Sequence, residues 1–322
     1  MDVTLRQLKY LISLAKHRHF GNAAAAVSVS QPALSVQIKA LEDTLGVLLI
    51  ERGAREVIVT PIGQEVLRRA KQIEREVREL SEAARWQHGL SGRLRMGVIP
   101  TIAPYLIPVA LPLLRNRDVE LDLGVREART EQLISELREG ELDVLVVALP
   151  IEDRGLECLP LFDDFFLLGG SERAISECED ALQPDLLEPE RLLLLDDGHC
   201  LADQALAACS LRRDETRMDL RASSLSTLCR LAVAEIGMTL VPELAVRAEH
   251  AAARGLALRR FSGAEPKRQI GLVRRKCSTE SGWFAELASI LARAGQLELS
   301  HTRRAYPLRQ AQIPHDINAR AG

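Results

Sequence analysis

No run of about eighteen apolar residues occurs in this 322-residue chain, so nothing in it reads as a membrane-spanning helix. The opening MDVTLRQLKY lacks the uninterrupted apolar core of a secretory signal, and a cytoplasmic protein whose thiols start reduced is expected. Neither charge is in large surplus. With 42 Lys and Arg against 45 Asp and Glu the net charge is -3, so any surface for nucleic acid must be a local patch. What is present, 47% hydrophobic and 27% charged residues, is the composition of a globular protein long enough for two or three domains.

One stretch organises the chain, LLLLDDGHCLADQALAAC at Leu192–Cys209. Its apolar start reads as a buried strand that breaks at Asp196-Asp197-Gly198 and delivers His199 and Cys200 to the start of a helical pattern. A thiol at a helix N-terminus beside an imidazole is favoured as thiolate. Cys209 follows nine residues later. If the intervening residues are helical, their rise separates the two Cα atoms by about 13 Å. A disulfide tolerates less than about 7 Å. The two thiols could pair only if that helix gave way. The plainer reading stands beside this one: Cys158, Cys178, Cys200, Cys209, Cys229 and Cys277 as small buried apolar residues, the usual lot of cytosolic cysteines.

At the N-terminus, Leu5, Leu8, Leu11, Ile12 and Ala15 share one helical face. An alanine-rich helix over Phe20–Val27 follows, then a turn at Ser28-Val29-Ser30, with Ser30 as N-cap and Pro32 at an early helical position. Gln31–Leu45 then buries Leu34, Ile38 and Leu41 until Gly46 stops it, and shows Gln31, Ser35, Gln37 and Lys39 on its other side. Short and flexible polar groups there suit base edges and phosphates, so the unit reads as a helix-turn-helix, with a small all-helical packing unit as the alternative. Two apolar runs flanking Glu51–Arg55 predict a β-hairpin wing that brings Arg52 and Arg55 near a phosphate backbone. Thr60-Pro61 opens a helix to about His88, whose stripe of Ile62, Val66, Ala70, Ile73, Val77, Leu80 and Ala84 suits pairing with a second copy.

Beyond Gly89–Gly92, strands alternate with helices, which predicts an α/β domain with a mostly parallel sheet covered on both faces. Thr101 and Thr130 fall where strands give way to helices, the end at which such sheets gather ligands; each is alternatively a helix N-cap. Periodicity fades past about Leu299, and a mobile tail over 300–322 is expected.

Phe20, Ala23-Ala24, Ser30-Gln31-Pro32-Ala33, Ser35, Ile38, Leu41-Glu42, Leu45-Gly46 and Glu51-Arg52 resemble, in order and spacing, the DNA-binding region of LysR-type transcriptional regulators. The resemblance implies a winged helix-turn-helix over 1–61, with Ser30, Gln31, Pro32, Ser35, Gln37, Lys39, Arg52 and Arg55 toward double-stranded DNA. It implies a linker helix and hinge over 62–92 and a two-lobed, periplasmic-binding-protein-like α/β domain over 93–299. Lobe I is expected at about 93–163 and 268–299, lobe II at about 164–267. Ile99-Pro100-Thr101, Glu127-Ala128-Arg129-Thr130, Asp197–Leu201, Asp203-Gln204-Ala205, Cys209 and Gly237–Leu240 are similar to the peroxide-sensing branch of that family. That likeness implies that Cys200 reacts with peroxide and Cys209 is its disulfide partner. It implies that Thr101, Thr130, His199 and Gln204 orient the peroxide and that Arg268 supplies a cation near the sulfur. Asp203 is assigned a structural or hydrogen-bonding part, because a carboxylate beside a thiolate opposes its ionisation.

On this reading the partners are DNA, RNA polymerase, hydrogen peroxide as signal, a thiol reductant for resetting, and further copies of the chain as dimer or tetramer, with no membrane, metal or cofactor. Two features depart from the pattern. Gly21-Asn22 stands where a basic pair would strengthen phosphate binding, and four thiols are additional to Cys200 and Cys209. A LysR-type regulator of a small organic effector explains all but the two cysteines. A thiol peroxidase explains the cysteines but not the helix-turn-helix, and a solute-binding protein would need a signal segment.

Overall fold

The computed structural model describes residues 2–52, 56–85, 93–117, 121–178, 182–184, 187–196, 200–209, 211, 222–263, 265–276 and 282–308. The chain divides into two compact units, Met1–Gln87 and His88–Gly322.

In the first unit, α1 (Leu5–His17) opens with a reciprocal cap in which the Thr4 hydroxyl accepts from the Gln7 N–H and the Gln7 side chain accepts from the Thr4 N–H. In α2 (Phe20–Ala26) the His19 Nδ1 accepts from the Gly21 and Asn22 N–H groups. Ser30 caps α3 (Gln31–Leu45), accepting from the Ala33 N–H at 3.4 Å, and Gly46 ends it with φ 69°, a left-handed conformation that a glycine adopts without strain. Ala23 and Ala24 are buried, and having no bulk beyond Cβ they let the helices close over Leu8, Leu11, Leu14, Leu34, Ile38 and Leu41.

The expected wing is the antiparallel pair β1 (Ile50–Arg52) and β2 (Val57–Val59). Glu42 Oε1 on α3 accepts the Leu49 and Ile50 N–H groups at 2.8 and 3.2 Å and so fixes the wing to that helix. Thr60 caps α4 (Pro61–Arg85), accepting from the Gly63 N–H at 2.9 Å. The apolar stripe of α4 is divided in use. Ala70 is buried and Val66 packs in the unit's own core, whereas Ile62, Ile73, Val77 and Leu80 are exposed.

The second unit is a mixed sheet in the order β4-β3-β5-β9-β6-β7, with β8 also on β6. Its strands are β3 (Arg93–Val98), β4 (Asp122–Glu127), β5 (Val144–Leu149), β6 (Leu156–Ser171), β7 (Thr239–Pro242), β8 (Leu256–Arg260) and β9 (Lys267–Arg275). Among these strands, parallel pairing is confined to β4-β3-β5, and β6, β7, β8 and β9 pair antiparallel, which is more antiparallel pairing than the strand–helix alternation suggests. The physical reason is β6, a sixteen-residue strand. Its first part pairs with β9, and its second part carries β7 and β8.

Helices α5 (Ala103–Arg117), α6 (Thr130–Arg138), α7 (Glu172–Ser176), α8 (Cys200–Ala208), α9 (Leu225–Val233), α10 (Glu243–Ala252) and α11 (Gly282–Ala305) complete the unit. Leu192, Leu193 and Leu195 are buried as expected, but they reach their neighbours through isolated parallel bridges to Met238 and Ala222 and not as a full strand. No helix among the described residues is long and apolar enough to cross a membrane.

Residues 300–305, expected to belong to a mobile tail, are helical instead, because α11 continues to Ala305. Its last turns are held by polar contacts, which an apolar pattern does not reveal. Thr302 Oγ1 donates to the Glu243 carbonyl at 2.9 Å, Arg303 Nη2 donates to Glu243 Oε2 at 2.8 Å, and Arg260 Nε donates to the Tyr306 carbonyl at 2.7 Å. Glu243 also takes the Arg260 guanidinium, so both of its neighbours are cations. Earlier in α11, a Cβ on Gly295 would stand 2.2 Å from the Phe162 ring, so only glycine lets the helix lie this close to β6. Residues 309–322 lie outside the described residues.

Candidate functional site

Arg268 on β9 and Asp164 on β6 are cross-strand partners, and both are buried. Arg268 Nε donates to Asp164 Oδ2 at 2.9 Å. The other edge of the guanidinium clasps Thr101, Nη1 donating to Oγ1 at 2.8 Å and Nη2 to the carbonyl at 3.1 Å. Asp164 Oδ1 accepts the Leu244 N–H in the first turn of α10 at 3.0 Å. Burial pushes the Asp164 carboxyl upward, while the Arg268 guanidinium and the Leu244 N–H pull it back. Two predicted residues, Thr101 and Arg268, thus meet directly. Asp164, which joins them to α10, went unnoticed in the sequence; the signal was a carboxylate inside the apolar run Leu161–Leu168.

Neither threonine is a helix cap. Thr101 lies before α5 with its hydroxyl engaged by Arg268, and Thr130 is the first residue within α6, whose N-cap is Arg129. Four residues after Thr101, Tyr105 donates to Glu249 Oε1 on α10 at 2.7 Å, and Ser226 on α9 donates to the same oxygen at 2.7 Å. Burial and the Glu249 carboxylate push the Tyr105 phenol far above its ordinary range. A second buried polar link therefore runs from α5 to α9 and α10.

The helix α8 starts at Cys200. Leu201, Ala202, Ala205 and Leu206 are buried along it, Asp203 is exposed and Gln204 is half-buried. The Gln204 Oε1 is buried and has no hydrogen-bond partner among the described residues. Cys209 follows the helix, its N–H donating to the Ala205 and Leu206 carbonyls, both at 3.1 Å. Its side chain is 1% exposed, and burial pushes the thiol up to about 12. Cys158, Cys178 and Cys229 are free thiols, and burial pushes Cys229 up to about 12 as well. His199, Arg55 and Cys277 lie outside the described residues, as do the side chains of Cys200 and Arg52.

In the first unit Gln31, Pro32 and Lys39 are exposed on α3, and Ser35 and Gln37 are half-buried. Arg52 ends β1 opposite Val57.

The chain matches two family models: residues 5–64 match the bacterial regulatory helix-turn-helix protein of the lysR family, and residues 87–296 match the LysR substrate binding domain. It is 41% identical over 294 residues to the probable hydrogen peroxide-inducible genes activator of Streptomyces viridosporus, covering 90% of this chain and 94% of that protein. It is 40% identical over 290 residues to the DNA-binding transcriptional dual regulator OxyR of Escherichia coli K12, covering 90% and 95%. Among solved structures, a full-length OxyR from Pseudomonas aeruginosa with a cysteine-to-aspartate substitution gives a TM-score of 0.72 at 32% identity, covering 92% of this chain and 96% of that one. A peroxide-bound cysteine-to-serine variant of Corynebacterium glutamicum OxyR gives 0.66 at 37% identity, covering 96% and 98%.

Proposed function

This chain belongs to the LysR family of bacterial helix-turn-helix regulators, and we propose that it is a DNA-binding transcriptional regulator that senses hydrogen peroxide through Cys200 and Cys209. The observation that carries the proposal is the helix between the two cysteines. Over α8 the rise separates positions 200 and 209 by about 13 Å, roughly twice what a disulfide spans. With α8 intact the two cysteines cannot be joined, so on this reading the disulfide forms only when that helix opens.

The chemistry balances without a cofactor. The Cys200 thiolate attacks one peroxide oxygen, the O–O bond breaks, and with one proton the other oxygen leaves as water; the product is a sulfenic acid. Thr101, Thr130, His199 and Gln204 are assigned to hold the peroxide and its leaving oxygen, and Gln204 supports this with a carbonyl that has no described partner. Arg268 is assigned as the cation of the site, holding Thr101 in place through two hydrogen bonds. Cys209 then attacks the sulfenic sulfur, a second water leaves, and a disulfide forms. A thiol pushed up to about 12 is a poor nucleophile at neutral pH, so Cys209 reacts only after α8 has opened and exposed it. A thiol reductant reverses the step.

The chain acts in the cytoplasm as a sensor and not as an enzyme. Copies pair through the exposed part of the α4 stripe, as dimer or tetramer, and the disulfide changes how they space their DNA-binding units and engage RNA polymerase. Footprinting on operator DNA with and without peroxide tests the reading. The footprint is expected to change on oxidation in the unsubstituted protein and to stay fixed in Cys200→Ser; a Cys200→Ser protein that still responds overturns it.

A further inference from the structure

α3 buries Leu34, Ile38 and Leu41, and at 100° per residue the direction opposite to them is occupied by Pro32, Val36, Lys39 and Asp43. Val36 stands at the middle of that outward face with 64% of its surface in water. Its neighbours one turn away on the helix surface are Pro32, Ala33, Lys39 and Ala40, and of these only Lys39 carries a hydrogen-bonding side chain. The centre of the reading face therefore has little with which to read a base edge by hydrogen bonds. We infer that Val36 selects thymine, packing its methyl groups against the C5-methyl group in the major groove.

The C5-methyl is the one apolar feature that the four bases present there. Against a cytosine N4–H₂ or a guanine O6, the valine would strip water from a polar group and give it no partner. A β-branched residue in a helix keeps essentially one χ1 rotamer, so the methyl groups are already placed before DNA arrives and lose little freedom on contact. The helix that carries them is fixed at both ends, by the Ser30 cap and by Glu42 accepting from the wing. Val36 was not among the residues its sequence marked for DNA, because an apolar side chain in an amphipathic helix is first read as core. Its exposure is what separates it.

The inference rests on the DNA-binding reading and can fail apart from it. The full-length reduced protein is used to enrich binding sequences from a pool of random duplex DNA, and the affinity of the enriched duplex is then measured with each thymine replaced in turn by deoxyuridine, which lacks only the methyl group. One thymine in the sequence touched by each chain is expected to show roughly fourfold weaker binding as uracil, the fold-change of about 0.8 kcal/mol for one buried carbon. In Val36→Ala that penalty disappears at that base, while the salt dependence set by phosphate contacts is unchanged. Because Val36 is exposed, the substitution leaves the core of the unit intact. Selective binding with every uracil neutral, or a uracil penalty that persists in Val36→Ala, overturns the assignment of Val36 alone. Enrichment of no sequence at all overturns the DNA-binding reading along with it.

Discussion

Around Arg268 the charged groups meet each other inside the protein, whereas the buried side of α8 is lined by leucines, alanines, a thiol and one amide carbonyl without a partner among the described residues. The first arrangement has one demanding geometry. A buried guanidinium needs its carboxylate, and the cross-strand register of β6 and β9 holds the two together. The second is held by side chains that are small or flexible and by a backbone that can be rewound. A sensor needs both, one surface that keeps the reaction geometry and one segment whose folded state is only modestly favoured. In the proposed sensor, Thr101–Arg268–Asp164 is the fixed half and Cys200–Cys209 the convertible half.

The contrast can be broken most severely at Asp164. Asp164→Ala leaves the Arg268 guanidinium buried and unpaired, at an expected cost of about 3–5 kcal/mol in urea denaturation of the full chain. Asp164→Leu combined with Arg268→Met should recover much of that stability while leaving the peroxide response lost. Arg303→Ala removes one of the two cations on Glu243 and should cost about 2 kcal/mol, since a hydrogen bond to a charged group contributes on that order. It should leave the rate of disulfide closure unchanged, because among the described residues the contacts of Arg303 lie on α10 and β6.

Alkaline pH separates the halves by titration. The buried Cys209 thiol is pushed up to about 12, against roughly 8.5 for an exposed thiol, so packing favours the neutral form. That contribution is fully present below about pH 8.5 and fades as pH rises toward 12, by at most about 1.4 kcal/mol per unit. Cys229 fades over the same window. Cys209→Ala should therefore make the fall of stability with pH between about 9 and 11 shallower, by up to about 1.4 kcal/mol per pH unit, and an unchanged slope would show that Cys209 is not buried as described. The gentlest change is Ala207→Gly, on the exposed side of α8. Glycine costs a helix about 1 kcal/mol relative to alanine, which should raise the population of opened α8, and with it the rate of disulfide closure, roughly fivefold. Stopped-flow thiol trapping after a peroxide pulse would measure it.

The fixed half was only partly legible in the sequence. Thr101 and Arg268 stood out through a resemblance, but their contact joins positions 167 residues apart, and no local pattern encodes such a pairing. Asp164 left only the trace of an acidic pair inside an apolar run, and Glu249 left none, since a buried carboxylate looks like any other until its partners are known. The convertible half was the more readable, because the helical pattern, its N-terminal position for Cys200 and the nine-residue spacing are all local. Local rules also gave the helix-turn-helix, with its Ser30 cap and the stop at Gly46. They failed at the end of α11, where polar contacts from Thr302 and Arg303 replace an apolar stripe, and over α4, where Val66 and Ala70 serve their own unit before any partner.

Whether α8 must open for Cys209 to reach Cys200 is decided by hydrogen exchange across Leu201–Ala208 before and after a brief peroxide pulse, paired with peptide mapping of the thiols. Exchange is expected to be slow in the reduced protein and fast in the protein carrying the Cys200–Cys209 disulfide. Exchange across β6 and β9 around Asp164 and Arg268 should not change, and a Cys209→Ser variant should form the sulfenic acid without the locked, fast-exchanging state. A disulfide between Cys200 and Cys209 with exchange in α8 as slow as before, or a Cys200 that stays reduced while another cysteine is oxidised, would contradict this mechanism.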